Sequence, residues 1–170
     1  SNQSVVMNYE TVTGVFIQHV EGNLYSLDAW QSSGFSSSDA NGVAVIVGVN
    51  SMVVAKEDVM TMGTGWGNTD YKVNGIVTTT DVTIAAADME GISNTDILVA
   101  LGPAYEAANS ARNYIFPNGK EGYLPAAGEL LLVGSLIEDV DAALKKINGT
   151  ELGASNTFWW SSTQYNTRYA

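Results

Sequence analysis

The sequence predicts an α+β fold in one domain, and three observations carry that prediction. Strand-like segments fill the first part of the chain, segments with helical spacing and helix-capping residues fill the middle, and aromatic, strand-like sequence returns at the end. At 170 residues the chain has the length of a single domain and can bury about 70% of its unfolded surface, so a hydrophobic core needs no covalent staples.

The elements follow in order. Residues 1–13 begin with Ser1-Asn2-Gln3-Ser4, polar and without the apolar stretch of a secretory signal, and are expected to be an N-terminal extension to a domain over 14–170. Val12 to Val20 is rich in β-branched and aromatic residues and predicts a strand, turned by Glu21-Gly22-Asn23 into a returning strand at Leu24-Tyr25-Ser26-Leu27. Gln31 to Asp39 is mostly Ser and Gly and reads as a surface loop. Gly42 to Val49 and Ser51 to Ala55 flank Val49-Asn50-Ser51 as a hairpin, and their near-continuous apolar character argues for burial on both faces. Thr61 to Asn68 is Gly-rich but lacks the lysine and the strand-to-helix context of a phosphate loop, so a turn around a packed Trp66 is expected.

Helical signals begin with Ser93-Asn94-Thr95-Asp96, cap-type residues ahead of Ile97 to Leu101. Gly102 ends that turn, and Pro103 suits the first position of a second helix carrying Ala104, Ala107, Ala108 and Ala111, small residues fit for close packing on a sheet. Phe116-Pro117-Asn118-Gly119-Lys120 is a turn signature. A further helical stretch opens at Pro125. Another follows with Ile137, Val140, Ala143, Leu144 and Ile147 on one face, acids at its start, Lys145 and Lys146 at its end, and Gly149 as its terminal cap. Phe158 to Tyr165 then reads as a strand in which the adjacent Trp159 and Trp160 face opposite ways.

Composition narrows the function. Eighteen acids against seven bases give a net charge of −11, a surface that repels phosphate backbones, so nucleic acid is excluded as a partner. No run approaches the roughly 18 apolar residues of a membrane span, which excludes membrane insertion. Cysteine is absent, and with it thiol nucleophiles, disulfides and cysteine-bound metals. Charged residues make up 15% of the chain against an ordinary ~25%, leaving Ser, Thr, Asn and Gly to supply polar surface, as in secreted and virion-surface β-rich proteins.

Catalytic and metal chemistry find little support. His19 is the only histidine and lacks a partner base. Glu138, Asp139 and Asp141 crowd a helix start, where the dipole accounts for them. Glu57-Asp58 and Asp88 with Glu90 lack the spacing of a calcium loop. No Gly-x-Ser-x-Gly elbow occurs, and Glu129 is expected to bond within the framework. The expectation is a non-enzymatic protein with no cofactor and no metal.

Three segments in this order resemble a known family. These are Gly42-Val43-Ala44-Val45 with Met52-Val53-Val54-Ala55, Gly122-Tyr123-Leu124-Pro125-Ala126-Ala127-Gly128-Glu129-Leu130, and Phe158-Trp159-Trp160-Ser161-Ser162-Thr163-Gln164. They look like the early strand pair, the G-(W/Y)-(R/Y)-L-P-(T/S/A)-x-x-E-L helix entry and the Y-Y-W-S-S-T-E strand of the major-paralogous (FISUMP-type) domain of gut bacteria and their phages, in the C-type-lectin-like superfamily. The resemblance implies a twisted, mainly antiparallel sheet with two principal helices and a long loop region. It implies surface adhesins, phage receptor-binding tips and the variable proteins of diversity-generating retroelements as relatives. The family pattern continues past the position of Ala170, so the closing strand is expected to be cut short. The calcium triplets of sugar-binding lectins are missing, and the superfamily's formylglycine-generating activity needs cysteines that this chain lacks.

By that resemblance Trp160, Ser161 and Ser162 are framework, and Gln164 to Tyr169 are displayed. Thr163 to Tyr169 also has the Tyr, Asn, Thr and Arg composition of a recognition surface, the alternative being a polar strand whose rings pack inward. The candidate ligand-binding residues are therefore Trp159, Gln164, Tyr165, Asn166, Thr167, Arg168 and Tyr169. The expected function is receptor binding on a phage tail or bacterial surface. The partner would be a host-surface protein or glycan, with a homotrimer supplying multivalency. A structural fibre or pilus module and a polysaccharide hydrolase are the alternatives.

Overall fold

The computed structural model describes residues 13–60, 63–68, 70–153 and 159–166. Its secondary structure is mixed α+β, as the order of signals predicts: a four-stranded antiparallel sheet and six α-helices among the described residues. The resemblance implies two principal helices, whereas the six among the described residues run from 5 to 10 residues.

The sheet runs β2-β1-β3-β4, with β1 at Gly14–His19, β2 at Leu24–Tyr25, β3 at Ala40–Val47 and β4 at Asn50–Val54. β3 is buried along most of its length, as its continuous apolar sequence requires. The hairpin to β4 closes on the pair Val47 and Asn50, with Gly48 at φ 61° in the turn, so the turn sits slightly earlier than expected. A two-residue turn needs a left-handed first position, and Gly48 adopts it with no Cβ penalty.

Between β2 and β3 the structure corrects the expected loop. Residues Leu27–Ser33 form α1, capped by Ser26, whose Oγ accepts from the Ala29 N–H at 3.1 Å, and ended at Gly34 in the left-handed conformation; a 3-10 turn at Ser37–Asp39 follows. Serines disguise this helix, but Trp30 is buried and packs against Phe35 at 5.1 Å and His19 at 6.1 Å between ring centroids. Tertiary burial of one large ring outweighs the weak helix propensity of its neighbours. His19 itself is structural, its Nδ1 accepting from the Glu21 N–H at 3.1 Å.

The remaining helices are α2 (Val82–Ala86), α3 (Gly91–Ala100), α4 (Glu106–Asn113), α5 (Ala127–Ser135) and α6 (Ile137–Lys146). α3 starts before the expected caps, so Asn94 and Thr95 lie inside it and are buried. α4 starts at Glu106, leaving Pro103 in the preceding turn. α6 buries Val140, Ala143 and Leu144 with Ile147 just beyond, on the face the spacing predicts. Its end differs in one respect: Asn148, at φ 56°, takes the left-handed position, while the Gly149 N–H donates to the Leu144 carbonyl at 2.7 Å. Gly149 serves close approach instead, since a Cβ there would stand 3.1 Å from the Lys56 carbonyl oxygen.

Two hydrophobic clusters result. One joins the sheet to α1, α5 and α6 around Ile17, Trp30, Val43, Val45 and Leu144. The other joins α3, α4 and the segments before α2 around Trp66, Leu98 and Tyr105, so Trp66 is packed as expected. Trp159 to Tyr165 is not a strand: its ladder contact is an isolated parallel bridge between Thr78 and Gln164. No helix among the described residues is long and apolar enough to cross a membrane.

Candidate functional site

The terminal segment is built by side-chain hydrogen bonds rather than by a sheet. The Trp160 Nε1–H donates to the Thr64 carbonyl at 2.9 Å, and the Trp66 Nε1–H donates to the Ser161 carbonyl at 2.7 Å. The Ser162 N–H donates to the Pro125 carbonyl at 2.8 Å. Trp160, Ser161 and Ser162 therefore sit within the framework.

Thr163 and Asp88 form the centre of a buried polar network. The Thr163 hydroxyl accepts from the Ala127 N–H at 2.9 Å, at the start of α5, and donates to Asp88 Oδ2 at 2.7 Å. The same oxygen accepts from Asn94 Nδ2 at 3.1 Å, and Asp88 Oδ1 accepts from the Glu90 N–H at 3.1 Å. Asn94 Nδ2 also donates to Ser162 Oγ at 3.2 Å, which ties α3 to the terminal segment. Because Asp88 and Thr163 are both buried, these bonds replace the water that the groups give up.

Gln164 overturns its expected display: the residue is 0% exposed. Its Oε1 accepts from the Val73 N–H at 3.1 Å and from Thr78 Oγ1 at 3.0 Å, while its Nε2 donates to the Tyr71 carbonyl at 3.2 Å. The main chain adds bonds from the Gln164 N–H to Val77 and from the Thr79 N–H to Gln164, both 2.9 Å. A primary amide carries both donor and acceptor, so one side chain satisfies groups from three backbone and side-chain sources at once.

Display begins one residue later. Tyr165 is 48% exposed, Trp159 is 41% exposed, and Asn166 is half-buried. Thr167, Arg168 and Tyr169, expected to complete the surface, lie outside the described residues.

Glu129 bonds within the framework. Its Oε2 accepts from the Ala126 N–H at 2.8 Å and its Oε1 from the Tyr123 hydroxyl at 3.0 Å, which fastens the first turn of α5. Burial lifts its carboxyl above the ordinary glutamate range, against the pull of the Ala126, Tyr123 and Gly91 hydrogen bonds, and the Asp88 charge adds to the rise. In the window from the ordinary glutamate pKa up to this raised value the folded state holds more protons than the unfolded chain. Stability from this group is thus greatest on the acid side and falls as pH rises through the window. The expected result is that the unfolding free energy of the wild type, minus that of Glu129→Gln, decreases as pH is raised from about 4.3. Urea unfolding at a series of pH values checks it, and an increasing difference contradicts it.

A groove of about 680 Å³ lies between the two hydrophobic clusters. Met52, Met60, Leu130, Ile137, Trp159 and Trp160 give its apolar character, and among the described residues Glu57 and Asp58 are the charged ones along it. Sequence reasoning missed both this groove and the role of Asp88; the cap-type residues Asn94 and Thr95 in an otherwise apolar helix were the signal for a buried polar partner. Comparison with protein-family models, curated proteins and solved structures finds no match to the chain.

Proposed function

We propose that this is a non-enzymatic recognition domain of the C-type-lectin-like type, displayed on a cell or virion surface. It binds a protein or glycan receptor through Trp159, Tyr165 and Asn166 and the residues that follow. One observation carries the reading: within a single step the chain passes from Gln164, 0% exposed and hydrogen-bonded on every side-chain polar atom, to Tyr165, 48% exposed. A ring presented from a fixed base loses little freedom on binding, and Tyr combines large area with few rotatable bonds. The low fraction of charged residues and the hydroxyl- and amide-rich terminal sequence support the same reading. Single-site contact of this size is weak, and repeated copies on a fibre or cell surface would compensate.

Binding of the purified full chain to a glycan panel and to intact bacterial cells tests the proposal. Tyr165→Ala is expected to weaken receptor binding about tenfold or more, the effect of a recognition hot spot. Its unfolding free energy should stay within about 0.5 kcal/mol of wild type, as for a surface substitution. Unchanged binding by the variant contradicts the proposal.

A further inference from the structure

We propose that the outer edge of β4, with the groove beside it, receives an extended peptide segment of a partner protein that is apolar along its length and carries a lysine or arginine at an end. This goes beyond recognition through Tyr165, which is not part of the groove.

The first observation is the free edge. Among the described residues β4 is the last strand of the sheet, and it pairs with β3 alone. Among the described residues, the backbone bonds that tie loops, turns and caps together include none from Asn50 to Val54. Gly42 of β3 has no room for a Cβ because the Val54 carbonyl oxygen points at it, so Val54 faces into the sheet. Ladder alternation then turns the N–H and C=O of Ser51 and Val53 outward. Unpaired backbone groups in a row are a template for another strand.

The second observation is the groove's position. Met52, Val53, Val54 and Ala55 line it consecutively. Residues of both strand faces meet one groove only where it runs along the strand's edge. Val82 and Leu131 stand on its rim, 79% and 57% exposed, and offer apolar surface to side chains that an added strand would project. A lipid tail or small apolar molecule would fill the groove but leave the backbone groups of Ser51 and Val53 without partners. An extended peptide satisfies both.

The third observation is charge. Among the described residues Glu57 and Asp58, both exposed, are the charged residues lining the groove, and they come after Ala55 and Lys56 beyond the end of β4. Tyr114, which also lines it, has its phenol raised by burial and then by the Glu57 carboxylate, so that charge is felt inside the groove. A peptide running along β4 meets these acids with one of its ends, and a cation there is attracted where an anion is repelled.

The probe is the labelled peptide acetyl-Lys-Val-Thr-Val-Thr-Val-Lys-amide, with basic residues at both ends so that either strand direction serves. Its binding to the full chain is read by fluorescence anisotropy at low salt. Replacement of both lysines by glutamate is expected to weaken binding about tenfold or more, and the Glu57→Gln, Asp58→Asn double variant should largely erase that preference. N-methylation of alternate peptide residues, made in both registers, should cost about tenfold or more in one register without any change to the protein. Val53→Pro, which removes an outward N–H from an edge strand, should lose the peptide while keeping the fold. Tyr165→Ala should leave peptide affinity unchanged, which separates peptide binding from recognition through Tyr165, Trp159 being shared by the two surfaces. Equal binding of the lysine and glutamate peptides, full binding by both N-methylated forms, or binding of hexadecyltrimethylammonium but not of the peptide would each overturn the proposal.

Discussion

Gln164→Leu is expected to lower the unfolding free energy by about 3 kcal/mol or more, although leucine nearly matches glutamine in size. The substitution removes the acceptor for the Val73 N–H and Thr78 hydroxyl and the donor for the Tyr71 carbonyl, in a site with no exposed surface. Each buried polar group left without a partner costs about 1–3 kcal/mol, which exceeds the gain from burying a more apolar side chain. Urea unfolding measures the loss. The same variant should lose receptor binding through the anchor, whereas Tyr165→Ala loses it with the fold intact, so the pair separates framework from contact surface.

Asp88→Ala is expected to cost about 4 kcal/mol, since hydrogen bonds to a charged group contribute about 1.5–3 kcal/mol each and the Asn94 and Thr163 donors stay buried. Glu90, Asn94 and Thr163 all donate to this carboxylate. The effect should not add to that of Thr163→Val, because both variants break the bond between Asp88 Oδ2 and Thr163 Oγ1. A double-mutant cycle should return a coupling of about 0.5–3 kcal/mol, the range for residues sharing one network. Simple additivity would mean that Asp88 and Thr163 act independently.

The parts of the fold legible in the sequence are those where one local signal dominates. Continuous β-branched runs announce β3, helical spacing of Val140, Ala143, Leu144 and Ile147 announces α6, and a glycine-rich turn announces the packed Trp66. α1 was hidden because Ser and Gly surround the single tryptophan that holds it down, and propensity says nothing of what Trp30 will meet across the sheet. The terminal segment fails for a related reason. Trp159 to Gln164 is aromatic and hydroxyl-rich, as a strand can be, but its partners are Thr64, Trp66, Val73 and Asn94, which the chain brings from distant positions. Gln164 is polar, and composition places polar residues outside; only the three-way match of its amide to Tyr71, Val73 and Thr78 makes it core. The groove along β4 was illegible because it is made by elements from both clusters and belongs to neither.

Amide hydrogen exchange at the terminal segment tests the anchored-display account most directly. The Ser162 and Gln164 N–H groups, bonded to the Pro125 and Val77 carbonyls, should exchange only through global unfolding, in step with the most protected amides of β3. The exposed side chain of Tyr165 should meanwhile react freely with a phenol-modifying reagent in the folded protein. Slow exchange up to Gln164 together with an accessible Tyr165 ring is the predicted result. Rapid exchange at Ser162 and Gln164 under conditions where β3 stays protected would contradict it.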